Sequence, residues 1–165
     1  MISAYYLNFI IVVAVQSVFF VVHAVSVGHR KHLWSYLWRG MIVGVPFGMV
    51  FDVVVGHSFG MYNNLLGFGS LFLVINGLFS YGFMMANVML LQHHHLYHMY
   101  AWSVGLGAVY EIANYFFPVW EWTFSIPMYE YAFVIGGAYF GLATLMMFVI
   151  RIVYRVEFKT LSLFM

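Results

Sequence analysis

The sequence predicts an all-α, polytopic membrane protein of five transmembrane helices, with its N-terminus outside and its C-terminus inside. Three observations carry that expectation. Charged residues form 7% of the 165 residues and the apolar set 65%, whereas soluble domains carry about 25% charged residues. The apolar residues gather in runs close to the roughly 20 residues that cross a bilayer. All six Lys and Arg residues fall on one side: Arg30, Lys31 and Arg39 in the first connection, Arg151, Arg155 and Lys159 after the last run. Positive charge collects in cytoplasmic loops, so this asymmetry sets the orientation. The expected location is the cytoplasmic membrane of a bacterium or archaeon.

The first helix is expected at about 2–25, with Gln16 and His23 the polar interruptions. It lacks a charged n-region and a small-residue cleavage site, so it reads as a retained helix and not a signal peptide. A basic, aromatic loop follows, from His29-Arg30-Lys31-His32 through Trp34, Trp38 and Arg39, the residue types favoured at the headgroup boundary. Further helices are expected at about 40–55, 65–91, 99–117 and 131–150, the fourth stopped by Pro118. The external loops are then short, and the second is aromatic. The whole chain, 1–165, reads as a single integral membrane domain.

A weak internal repeat runs through helices two to five. Gly48-Met-Val-Phe51-Asp52 aligns with Gly107-Ala-Val-Tyr110-Glu111, and each acid is followed ten or eleven residues later by an aromatic, Tyr62 or Trp122. Each unit continues into a glycine-bearing helix, Gly77-Leu-Phe-Ser-Tyr-Gly82 or Gly136-Gly137-Ala-Tyr-Phe-Gly141. Both units run inside to outside and back, so the repeat is parallel, with an axis along the membrane normal. Asp52 and Glu111 then sit at matching depth.

An ionisable group inside a span is costly and marks function, usually with a partner nearby. No Lys or Arg lies within the spans to pair with Asp52 or Glu111. A neutral carboxyl beside a charged one is an acid/base pair. Asn114, three residues after Glu111, is placed to orient it; the alternative for both acids is an interhelical hydrogen bond or external water. Seven of eight histidines, including His29, His32, His93, His94, His95 and His98, fall on the inner side. That density offers a metal or haem site, or else a polar interfacial loop. Gly44 with Gly48, and Gly137 with Gly141, have the spacing of close helix packing. Eighteen Phe, thirteen Tyr and twelve Met suit lipid contact and packing, and also an irregular apolar ligand.

Tyr110-Glu111-Ile-Ala-Asn114, Trp120-Glu121-Trp122, Ile126-Pro127-Met-Tyr129-Glu130 and Phe133 together are similar to the small membrane-embedded lycopene cyclases. Phe51-Asp52 through Gly60 and Tyr62 resembles the matching part of the other repeat. Tyr129 stands where the family's first paired acid would be, and the first repeat has no Pro-Glu-Asp element, Asn76 and Ser80 being its nearest polar groups. The resemblance implies proton-initiated cyclisation or isomerisation of an isoprenoid. Asp52, Glu111 and Glu130 would exchange protons with an alkene, assisted by Asn114. Tyr62, Trp120, Trp122, Tyr129 and Phe133 would line the site, aromatic faces stabilising the carbocation.

Two further classes fit the same residues. One is a haem- or metal-binding redox protein built on the inner histidines. The other is a non-catalytic subunit or a lipid- or pigment-binding component of a larger membrane complex. The expected partners are membrane lipid, an isoprenoid or other apolar small molecule, and a second copy or larger assembly. Nucleic acid is excluded, because the basic residues are few and juxtamembrane, where anionic headgroups are their natural partners. Without cysteine, disulfides, thiolate catalysis and iron–sulfur ligation are excluded as well. The sequence fixes no cofactor.

Overall fold

The computed structural model describes residues 4–67, 69–94, 96–123 and 127–158, apart from the side chains of 96, 97, 128, 129, 131 and 132. Helix α1 covers Ala4–Ser26, and its buried residues Phe9, Val12, Gln16, Phe20 and His23 recur every three to four positions. That period puts one stripe of the helix against protein. Its other faces expose Ile10, Val18, Val22 and Val25. A helix apolar on its outward faces as well needs hydrocarbon for a solvent, and the same holds for exposed Phe133, Phe148 and Ile152 on the last helix.

A 3-10 turn, Arg30–His32, leads into α2, Leu33–Phe51. The basic, aromatic stretch expected as a loop is therefore mostly the first two turns of α2, with Trp34 and Trp38 exposed along it. Trp, Tyr, Leu and Arg sit comfortably in a helix, and interfacial preference does not require irregular backbone. Beyond Phe51 the helix widens into a π-helical segment, Asp52–Ser58. Helix α3, Ser70–Asn76, passes through a second π-helical segment, Gly77–Tyr81, into α4, Gly82–Leu90, and a last 3-10 turn, Leu91–His93. Residues 65–67 and 69 belong to the connection before α3, where Gly67 takes a φ of +77°.

Every residue of α4 is buried, making it the central rod of the bundle. It lies against α1, α2 and α6. Its approach to α2 is set by glycine: a Cβ on Gly40 would stand 2.4 Å from the Gly82 carbonyl oxygen, and one on Gly44 only 2.6 Å from the Gly82 nitrogen. The pairing of Gly137 and Gly141 works out differently. A Cβ at either would meet nothing within 4 Å among the described residues. Helix α6, Met128–Tyr154, turns other positions toward α5, Leu96–Phe116, where Gly107 accommodates the Tyr139 ring.

The chain is thus mostly helical, and among the described residues four segments are long and apolar enough to cross a membrane: Ala4–Ser26, Arg30–Ser58, Ser70–His93 and Phe133–Tyr154. Helix α5 has the length, at 21 residues, but Ser103, Glu111 and Asn114 dilute its apolar character. Two short strands depart from the all-helical expectation. Strand β1, Tyr62–Asn64, pairs antiparallel with β2, Trp120–Trp122, with Tyr62 opposite Trp122 and Asn64 opposite Trp120. This ribbon joins the two loops at one end of the bundle. At the other end Tyr154 donates to the Arg39 carbonyl at 2.9 Å, and the Arg39 guanidinium lies 5.7 Å from the Tyr154 ring centre. The basic start of α2 and the basic end of α6 therefore meet.

Candidate functional site

Asp52 is the first residue of the π-helical segment that ends α2, and only 1% of it is exposed. A carboxyl withdrawn from water needs hydrogen-bond partners, because unmet polarity in a low-dielectric interior is costly. Three groups supply them. Asn76 Nδ2 donates at 2.7 Å, the Tyr81 hydroxyl at 2.8 Å, and the Tyr62 hydroxyl makes a short bond to the same oxygen as Tyr81. Burial and the neighbouring Asp52 carboxyl both push the Tyr62 phenol well above its usual range. Tyr62 therefore keeps its proton and remains a donor.

Local backbone irregularity delivers these groups. Asn76 ends α3, and Tyr81 closes the second π-helical segment. Two extra-wide turns on adjacent helices thus face each other across one carboxyl, and such turns recur at functional sites. Gly48, one turn before Asp52, admits the tyrosine: a Cβ there would lie 2.5 Å from Tyr81 Cδ2.

Glu111 repeats the arrangement on α5. The Tyr139 hydroxyl donates to Oε1 at 2.9 Å and Trp122 Nε1 to Oε2 at 3.2 Å. Gly107, again one turn earlier, would bring a Cβ to 2.5 Å from Tyr139 Cγ. The donors follow the acids at nearly equal separations in sequence, 10 and 29 for Tyr62 and Tyr81, 11 and 28 for Trp122 and Tyr139. Tyr62 and Trp122 also face each other in the ribbon, their ring centres 5.8 Å apart. One cross-strand pair therefore carries a donor for each acid.

Between the two acid modules lies a cavity of about 100 Å³. Asp52, Asn64, Asn76 and Ser80 supply its polar wall, and rings of Phe51, Tyr62, Tyr81, Tyr110, Trp120, Trp122 and Tyr139 supply most of the rest. Glu111 stands behind two of those rings, holding Tyr139 and Trp122 in place. The Tyr110 hydroxyl donates to the Ser80 carbonyl at 3.1 Å. No Lys or Arg among the described residues lines the space. An anion-capable group enclosed by aromatic faces favours positive charge, through both the carboxyl and the ring quadrupoles.

The structure places the other candidates apart from this cavity. Asn114 serves the loop: its Oδ1 accepts from the Val119 and Trp120 amides at 2.8 and 3.1 Å, and its Nδ2 donates to the Trp120 carbonyl at 2.9 Å. Glu130 is exposed in the first turn of α6, and Phe133 is 83% exposed on the outside of the bundle. The Tyr129 side chain lies outside the described residues. Sequence reasoning did not single out Tyr81 and Tyr139, although both stand in the glycine-bearing strings of the repeat.

At the opposite end, the histidines pair among themselves and with aromatics. His23 is buried, bonded through Nδ1 to Asn87 Oδ1 at 3.0 Å and through Nε2 to His94 Nε2 at 2.9 Å, with its ring stacked 4.1 Å from Trp102. His29 stacks on His93 at 3.8 Å, and the Tyr36 hydroxyl bonds His93 Nε2 at 2.9 Å. His32 and His98 lie at the edges, 6.0 Å from His29 and 6.2 Å from His94 between ring centres. His95 falls outside the described residues. Among the described residues no three His, Cys, Asp or Glu side chains form a group able to hold a metal ion.

No protein-family profile, curated protein or solved structure matches this chain.

Proposed function

We propose that this chain is a membrane-embedded isomerase or cyclase that moves a proton onto and off an isoprenoid alkene, with Asp52 as the proton-exchanging group. The observation that carries the reading is the Asp52 cavity: one buried carboxyl, a set of hydroxyl and amide donors, and aromatic faces on most other sides. In its neutral form Asp52 delivers a proton to a terminal or trisubstituted double bond. The resulting cation is met by the faces of Tyr81, Tyr110, Trp120 and Trp122. A second double bond attacks it to close a ring, or the cation survives unclosed. Loss of a proton from an adjacent carbon to the Asp52 carboxylate then gives a new alkene. Substrate and product are isomers, and no electrons or groups are exchanged with the surroundings. Tyr62 and Tyr81 steady the carboxylate between the two steps, and Glu111 positions the rings of Tyr139 and Trp122.

The same reading takes the bundle as five crossings with its basic end inside and its ribbon end outside. Two points support this. The basic ends of α2 and α6 meet at Arg39 and Tyr154. The 21 residues of α5 reach about 30 Å at helical rise, enough to cross with the other four. The matched surroundings of Asp52 and Glu111 support two helical hairpins related by an axis along the membrane normal.

The test is turnover. Purified protein in mild detergent is given an acyclic polyene, and the isomers formed are separated by chromatography. Asp52→Asn keeps the shape of the side chain and is expected to lower turnover by about 10²–10⁴-fold, the usual contribution of a positioned acid/base group. Undiminished turnover in a folded Asp52→Asn protein, or no isomer from the unmodified protein, overturns the proposal.

A further inference from the structure

A second space lies beside the cavity, across Phe51. Along α6 the cavity wall is formed by Ala138, Tyr139 and Leu142; one to three turns further on, Leu145, Val149 and Val153 line the second space, of about 610 Å³. Along α2 the second space is lined from Ile42 through Pro46, Phe47, Val50 and Phe51 to Val54 and Val55, so it passes alongside Asp52 on the outer side of the helix. The two spaces thus adjoin at Phe51, which belongs to both, and along α6 the second continues where the first ends. They differ in chemistry. Carboxyl, amide and hydroxyl groups line the first, while every side chain lining the second is apolar.

The packing of the bundle explains why the seam stays open. Helix α2 leans on α3 and α4, held there by Gly40 and Gly44, whereas α6 leans on α5 and α4. What remains between α2 and α6 faces outward, with Ile42, Val50, Leu145 and Val153 all exposed. In a bilayer this opening faces acyl chains. Phe51 partitions the two spaces and is tied to the carboxyl side: its ring lies 6.0 Å from that of Tyr81, which donates to Asp52. From Leu142 to Val153 the seam runs about 16 Å at helical rise.

We propose that the α2–α6 seam binds the apolar chain of the ligand whose reacting end lies against Asp52, and that the ligand comes in sideways from the bilayer past Phe51. The proposal rests on reading the Asp52 cavity as the reaction site. It commits to a long, flexible hydrocarbon chain without polar substituents along its length and with its reactive group at one terminus. A ligand carrying polar groups along that length would leave them unpaired against an entirely apolar wall.

The probes are geraniol and geranylgeraniol, short and long prenyl alcohols, each with a diazirine at the chain end remote from the hydroxyl. Each is irradiated with the protein in phosphatidylcholine nanodiscs, and adducts are mapped by mass spectrometry. The long probe is expected to label the neighbourhood of Val149 and Val153, and the short probe the neighbourhood of Leu142 and Phe51. Filling the seam with Val149→Trp is expected to cut labelling by the long probe about tenfold while sparing the short one. Leu145→Trp, at a more exposed position, provides the same test should Val149→Trp fail to fold. Adducts spread equally over Val18 and Val22 on α1 would overturn the proposal. So would equal loss of both probes, or labelling displaced by phospholipid and not by unlabelled prenyl alcohol. Seam labelling without any isomer in the turnover assay would support the chain site and reject the reaction; isomer formed at equal rates with the seam blocked would do the reverse.

Discussion

Asp52 and Glu111 each depend on a glycine one turn away. A methyl group on Gly48 would collide with Tyr81, and one on Gly107 with Tyr139, at 2.5 Å in both cases. Ring atoms fixed by packing and a hydroxyl bond have little room to yield, so overpacking applies. Gly48→Ala is expected to destabilise the protein by about 1–3 kcal/mol and to pull the Tyr81 hydroxyl from Asp52. Thermal unfolding in detergent checks this, and an unchanged midpoint would contradict it. Tyr81→Phe removes the hydroxyl without the clash and is expected to cost about 0.5–1.5 kcal/mol, the range for a bond between neutral partners. The sequence disclosed the acids because charge is rare inside spans, and it disclosed Tyr62 and Trp122 because they keep step with those acids. Tyr81 and Tyr139 escaped notice among thirteen tyrosines. In an apolar helix a tyrosine looks the same whether it faces lipid or a buried carboxyl.

The ribbon acts at the scale of elements. Strands of three residues are too short to persist alone, and the β1–β2 pair is held from both sides. Asn114 fixes its approach through three bonds, Leu65 donates to the Val119 carbonyl at 2.8 Å, and Thr123 donates to the Met61 carbonyl at 3.1 Å. Asn114→Ala leaves one buried and one half-buried amide without an acceptor, an expected loss of about 1–3 kcal/mol concentrated at the loop. Hydrogen exchange at Val119 and Trp120 is expected to quicken well before exchange in α4 does. Exchange that quickens evenly along the chain would refute this role. Neither the ribbon nor the π-helical segments were visible in the sequence. Hydropathy locates apolar runs but carries no record of how a helix turn widens or how two loops pair. The spacing of Gly137 and Gly141 matched a packing pattern that α6 does not use among the described residues, where contact with α5 is made through Gly107 and Tyr139 instead.

Taken whole, the molecule is polarised, with a basic, histidine-rich end opposite an acid-and-aromatic end. Basic residues and apolar runs made that division readable before any coordinates, since both are properties of composition along the chain. The absence of native cysteine makes the topology directly testable. A single cysteine at Ser35, beside the basic turn, is expected to react with membrane-impermeant maleimide only after the membrane is opened. One at Asn63, in the ribbon, is expected to react in intact cells. The opposite pattern would invert the orientation, and reaction of both in intact cells would remove the five-crossing arrangement. The polarity also separates two sets of groups: the carboxyl proposed to exchange protons lies at the ribbon end, and the histidine pairs lie at the basic end.

The central claim is that Asp52 passes a solvent-derived proton to carbon, and isotope incorporation reads that step directly. Protein equilibrated in deuterium oxide is mixed with an acyclic polyene under single-turnover conditions, and the product is analysed by mass spectrometry. The account predicts an isomer of the substrate carrying one non-exchangeable deuterium, formed by the unmodified protein and not by Asp52→Asn. An isomer without deuterium, or one that Asp52→Asn forms equally well, would contradict it.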